Sequence, residues 1–250
     1  MSNLTNHTIV SPEQWITERK KLLAREKELT RLRDQVAREQ RALPWVRIEK
    51  NYLFDTAAGP RTLGDLFHGR RQLLVQHFML APGWEEGCRS CSYMADHTDG
   101  MLVHLAARDV TFVAISRAPL AEIQRFHRRM GWKFPWASSF GCDFNRDFHV
   151  SFEEGKKPVY YNYDLQSFQS EELPGISVFY KDDAGQVFHT YSAYGRGVEA
   201  MMGTYTLLDL TPKGRDEGDG PMGWVRYHDR YETAPALETE RGADCCHAES

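Results

Sequence analysis

Residues 71–107 place an apolar strand directly ahead of two thiols, and this order constrains the fold more than any other stretch. Gln72-Leu73-Leu74-Val75-Gln76-His77-Phe78-Met79-Leu80 is followed by the loop Ala81-Pro82-Gly83-Trp84-Glu85-Glu86-Gly87. Then come Cys88-Arg89-Ser90-Cys91 and a helix-like segment from Ser92 to Ala107. Val110-Thr111-Phe112-Val113-Ala114-Ile115-Ser116 is a second apolar run. Strand, helix and strand with short connections predict a right-handed βαβ unit with parallel strands. Two thiols at the start of a helix, on the end of a buried strand, point to redox chemistry first and metal binding second.

At 250 residues the chain can form one large domain or two small ones. A hydrophobic content of 41% with 12% aromatic residues argues for order along most of the length. The net charge is −4, with both signs mixed throughout, which gives no basis for a nucleic-acid or anionic-membrane partner. Met1 to Val10 is polar and lacks the apolar stretch of a secretory signal. No apolar run approaches the roughly 18–20 residues needed to span a bilayer. The expected location is the cytoplasm. Five cysteines (Cys88, Cys91, Cys142, Cys245 and Cys246) are an odd count at irregular spacing, a poor disulfide framework.

Ser11-Pro12-Glu13-Gln14 opens a helix with a capping-box pattern and proline at its first position. Trp15, Leu22, Leu29, Val36 and Leu43 recur every seven residues, beside Leu23 and Leu32, until Pro44 ends the run. This predicts an amphipathic helix of about thirty residues. The expectation is an arm packed over its own domain, with a homodimerisation arm as the alternative. Val46 to Phe54 reads as a strand, Ala57-Ala58-Gly59-Pro60 as a turn, and Thr62 to Phe67 as one helical turn stopped by Gly69. Pro119 starts a helix carrying Leu120, Ile123, Phe126 and Met130, and Gly131 closes it. Phe134 to Ser139 is a short strand, Cys142 to Phe148 a short helix or turn, and Val159 to Gln169 an ordered loop. Ile176–Tyr180 and Val187–Tyr191 flank a turn and form a hairpin. Gly197 to Leu208 is a last helix, then a flexible Gly/Pro-rich loop, then an ordered patch at residues 224–231. The expected organisation is a helical arm over residues 11–43, one α/β domain over 46–231 and a disordered tail over 232–250.

The order from Tyr52 to Leu210 resembles the thioredoxin superfamily in its peroxiredoxin-like branch. Thr62-Leu63 with Asp65-Leu66, Phe134-Pro135, and Ser177-Val178-Phe179 before an Asp-Gly-type turn carry that likeness. More narrowly, the chain resembles a bacterial family of unknown role described as predicted thioredoxin-like dithiol–disulfide oxidoreductases. Arg70-Arg71-Gln72-Leu73, His77-Phe78-Met79, Gly87-Cys88, Ser90-Cys91-Ser92 and Ala95-Asp96 carry this second likeness. Met130-Gly131-Trp132, Asp143-Phe144-Asn145, Leu173-Pro174-Gly175-Ile176 and His189-Thr190-Tyr191-Ser192 extend it. The resemblance implies a central mixed sheet flanked by helices, with no cofactor. It implies a disulfide-containing protein or small molecule as substrate and a thioredoxin- or glutathione-type electron donor.

A dithiol oxidoreductase needs one thiol that is partly thiolate at neutral pH and a second within reach. Cys88 at the helix start is the expected nucleophile, and Cys91, one turn later, the resolving thiol. Arg89 between them adds positive charge that favours the thiolate. Half a zinc site is the structural alternative, with Cys142 or Cys245-Cys246-His247 as distant further ligands. A peroxidase is the closer rival, although Pro82 and Glu85 do not match the peroxiredoxin loop. A non-catalytic binding module is the third reading. The resemblance puts His77 where thioredoxins hold a proton-relaying acid, and a hydrogen-bonded core histidine is the alternative. Pro174 is either a cis-proline beside the thiols or a plain turn. Trp84, Arg89, Arg117, Pro174 and the run Arg226-Tyr227-His228-Asp229 are candidates for a substrate groove. Cys142, on the same sheet edge as Cys88, is expected about 10 Å from it if two strands separate them.

Overall fold

A computed structural model describes residues 7–231 apart from 154, 169 and 219. The tail with Cys245, Cys246 and His247, and the ends of two other expected segments (Met1 to Asn6, and Gln169), lie outside the described residues. Ser11 caps helix α1 (Pro12–Arg41) reciprocally with Gln14, satisfying two N–H groups the helix start leaves free. The helix runs as its spacing predicts, but it does not pack over the domain. None of its residues is buried, and Trp15 remains 60% and Leu22 55% exposed. One apolar residue per two turns, flanked by charge, buries too little to hold the helix down. Its last turn touches the sheet, where the Gln40 amide donates to the Tyr191 hydroxyl at 3.1 Å.

The single strand expected over Val46 to Phe54 is two strands on opposite sides of the sheet: β1 (Val46–Arg47), at one edge, and β2 (Leu53–Thr56), next to the other. Polar Glu49-Lys50-Asn51 separates them. A tight turn at Gly59 joins β2 to β3 (Gly59–Thr62), and a single 3₁₀ turn spans Asp65–Phe67. Then follow β4 (Gln72–His77), α2 (Arg89–Asp99), α3 (Leu102–Ala107) and β5 (Val110–Ser116). The helix expected over Ser92 to Ala107 is thus two helices, parted at Gly100. Next come α4 (Leu120–Met130), β6 (Trp136–Ser138) and α5 (Phe144–Asp147). The ordered loop expected from Val159 is a hairpin of β7 (Val159–Tyr161) and β8 (Asp164–Gln166), turned by Asn162 and Tyr163 at positive φ. The chain ends with β9 (Gly175–Lys181), β10 (Val187–Tyr194), a 3₁₀ segment (Gly195–Met201) and α6 (Gly203–Leu208). The helix expected over Gly197 to Leu208 is split between these last two. The residue 224–231 patch holds buried Val225 and Tyr227 and one 3₁₀ turn, His228–Arg230.

Eight strands form one mixed sheet in the order β1-β10-β9-β4-β5-β6-β2-β3. β4 runs parallel to β5 and antiparallel to β9, which pairs antiparallel with β10. That inner order, with α2 and α3 crossing between β4 and β5, is the thioredoxin-like fold. The two-residue period of β4 then divides the core. Leu73 and Val75 join Val113, Ile115, Phe144 and Phe179 on one face. Phe78 joins Cys91, Phe112, Phe126 and Trp136 on the other. Among the described residues no helix is long and apolar enough to cross a membrane.

β9 begins at a glycine because Tyr194 of its hairpin partner lies across it. A Cβ at Gly175 would fall 2.7 Å from the Tyr194 Cδ1. Gly175→Ala is therefore expected to destabilise the fold by about 1–3 kcal/mol in urea unfolding.

Candidate active site

The β4 run ends at His77, and the chain rises over the sheet to reach the start of α2. Gly87 makes that path passable, because a Cβ there would fall 2.5 Å from the Phe78 ring and 2.8 Å from the Phe126 ring. The Cys88 N–H donates to the Met79 carbonyl at 3.0 Å, pinning the loop to its own start. Cys88 is the N-cap residue of α2, in extended backbone, and its carbonyl accepts the Ser92 N–H at 2.9 Å. Its side chain therefore faces the N–H groups that the first helical turn leaves unpaired.

The two thiols are displaced in opposite directions. The Cys88 thiol is lowered to about 6, chiefly because Cys91 hydrogen-bonds it, against burial, with further help from the N–H groups of Cys91 and Ser90. Cys91 is 1% exposed and is pushed well above the ordinary thiol range by that same hydrogen bond, by burial and by the Cys88 charge. Arg89 is exposed and is not among the groups that chiefly set Cys88. Cys91 and the helix start take the chief part.

Strand alternation also removes His77 from the site. Its ring packs on Phe144 and Phe148 in the opposite core, and Nε2 lies 2.7 Å from the Ser177 hydroxyl. Burial pushes its pKa down to about 3, with His189 adding to the effect. The alternative reading, a hydrogen-bonded core histidine, describes this placement. Gln76 occupies the thiol side instead. Its amide donates to the Cys91 carbonyl at 3.0 Å, and its Oε1 is buried without a partner. A glutamine inside an apolar strand was the available sequence signal.

Pro174 does come to the thiols, lining a cavity of about 560 Å³ with Cys88, Cys91 and Ser90. Its peptide bond is trans; among the described residues the cis bond is Lys157–Pro158. Trp84 packs against the aromatic core. Arg117 turns to a buried acid, with Nε donating to Glu172 at 2.6 Å, while the Ser151 hydroxyl donates to the same carboxylate at 2.6 Å. Burial raises the Glu172 carboxyl, and the Glu172 charge in turn contributes to raising Cys91. Cys142 packs on the opposite core and its thiol is raised by burial. One strand, β5, lies between the strand ahead of Cys142 and that ahead of the thiols.

The C-terminal residues close one side of the site. The Tyr227 hydroxyl donates to the Gly87 carbonyl at 2.6 Å, immediately ahead of Cys88. Asp229 pairs with Arg129 at 2.9 Å, and Glu86 pairs with both Arg129 and Arg230. His228 Nδ1 lies 2.6 Å from Asp96 on α2. The run from Arg226 is thus a clamp on the thiol loop.

The rate of Cys88 alkylation by iodoacetamide should rise with pH through a midpoint near 6 and then level off, as the lowered thiol ionises. In Cys91→Ala the midpoint should move upward, because the main stabilising hydrogen bond is gone. An unchanged midpoint in that variant would contradict the assignment.

The chain matches the family model described as "Bacterial protein of unknown function (DUF899)" over residues 4–231. No curated protein matches it. Similar solved structures include peroxidoxin BcpB from Mycobacterium tuberculosis, at 16% identity and TM-score 0.40, covering 65% of this chain and 94% of that one. A peroxiredoxin Q variant from Xylella fastidiosa matches at 10% identity and TM-score 0.42, covering 65% and 94%. A candidate thiol:disulfide interchange protein DsbE from Chlorobium tepidum matches at 14% identity and TM-score 0.39, covering 66% and 97%. With its thioredoxin-like sheet and a family match across nearly all described residues, the chain belongs to the bacterial family of unknown function DUF899.

Proposed function

We propose that the protein is a dithiol–disulfide oxidoreductase working by thiol–disulfide exchange through Cys88 and Cys91. The observation that carries this reading is the opposed displacement of the two thiols at the start of α2, beside a cavity. The Cys88 thiolate attacks one sulfur of a substrate disulfide, the S–S bond breaks, and the first thiolate leaves to take a proton from water. Once Cys88 is in the mixed disulfide, its negative charge and its demand for the Cys91 proton disappear. The two Cys88-dependent causes that hold the Cys91 thiol high vanish with them. Cys91 then ionises and attacks the Cys88 sulfur, releasing the second thiolate and leaving an internal disulfide. A thioredoxin- or glutathione-type donor returns the two electrons.

Cys88→Ser should abolish disulfide reduction, whereas Cys91→Ala should stop at a mixed disulfide visible by mass spectrometry. Undiminished turnover in Cys88→Ser would overturn exchange through this pair, and no disulfide reduction by the wild-type protein would leave a non-catalytic binding module as the better reading. The exposed apolar stripe of α1 supports a second copy of the chain as partner. Sedimentation should give a dimer that Leu22→Glu with Leu29→Glu converts to monomer.

A further inference from the structure

We infer that the cavity beside the thiols selects compact, uncharged, apolar disulfides; this rests on the oxidoreductase reading above and names its substrate class. A volume of about 560 Å³ falls within the roughly 300–1,000 Å³ of small-molecule sites. Four methionines line it, each from a different segment: Met79 after β4, Met94 on α2, Met202 ahead of α6 and Met222 near the C-terminal clamp. Unbranched thioethers adapt to varied apolar shapes and make favourable contacts with sulfur-bearing and aromatic groups. Two of the four segments lie beyond β10, so this apolar wall is an addition to the sheet and its crossing helices.

The charged residues of the lining are committed to one another. Arg196 Nε pairs with Glu199 at 2.8 Å, and Arg215 Nε pairs with Asp209 at 2.9 Å while its Nη1 reaches Glu199 at 3.4 Å. Glu217 accepts the Tyr205 hydroxyl and, at 2.7 Å, the Met222 N–H. Among the described lining residues both arginines, the more enclosed Arg215 and the exposed Arg196, already pair with acids of the protein. A disulfide carrying several carboxylates, such as glutathione disulfide, would meet Glu199 and Glu217 and would have to compete with Glu199 and Asp209 for the two arginines, which is unfavourable. A neutral apolar disulfide enters without that charge penalty. The Cys88 thiolate displaces one RS⁻, Cys91 displaces the other, and the substrate leaves as two thiols, reduced by two electrons. The protein is left as the Cys88–Cys91 disulfide, which dithiothreitol, a small dithiol, restores.

The test compares the reduced full-length protein acting on bis(2-pyridyl) disulfide, glutathione disulfide and insulin. Each rate constant is divided by that of the same disulfide with dithiothreitol, removing intrinsic reactivity. The normalised rate for the pyridyl disulfide should exceed the other two by at least about tenfold. Met222→Glu should bring that ratio toward one, and Met222→Leu, which keeps the apolar volume, should preserve it. Equal normalised rates, or a preference for glutathione disulfide or insulin, overturn the substrate class and leave the enzyme reading standing. Reduction of none of the three above the level of Cys88→Ser overturns the oxidoreductase reading itself.

Discussion

The alternation of side chains along β4 governs the rest of the molecule. Hydrogen-bonded to β5 on one side and β9 on the other, the strand has no freedom to slip. A one-residue shift would exchange every side chain between the two cores. Leu73, Val75 and His77 are therefore committed to one face, and Gln76 and Phe78 to the thiol face. The loop to Cys88, the start of α2 and the aromatic bed beneath it all inherit that choice.

The order of the central elements was legible in the sequence because local signals agreed. Pro119 and Gly131 bound α4 as read, and the Val110–Ser116 run became β5 without adjustment. What failed to read through was decided by contacts between distant segments. Gly100 broke one expected helix, a preference that a helical pattern on either side masks. The hairpin of β7 and β8 has three-residue strands, too short for a period to emerge. His77 was assigned by adjacency to Phe78, whereas facing is set by pairing. The thiol pair was legible; its supports Gln76, Glu172 and Tyr227 were not, since each reaches it through the fold.

The thiols also illustrate how a single proton is shared. Cys88 is low chiefly because Cys91 donates to it, and Cys91 is high because it donates its own proton to that sulfur, is buried and faces the Cys88 charge. Neither displacement belongs to one residue, and the part of each that comes from the other sulfur ends when that sulfur forms a bond elsewhere, while burial continues to act on Cys91. A pair coupled in this way stays asymmetric at rest and becomes permissive for the second step after the first.

The bond from Tyr227 to the Gly87 carbonyl joins residues 140 positions apart. A chain made from its N-terminus exposes β4, the thiol loop and α2 long before Tyr227 exists to hold them. The cavity walls contributed by Met202 and Met222, and the Tyr227 hold on the thiol loop, come from segments made after β10. During synthesis the two cysteines are therefore made well before the residues that wall their site.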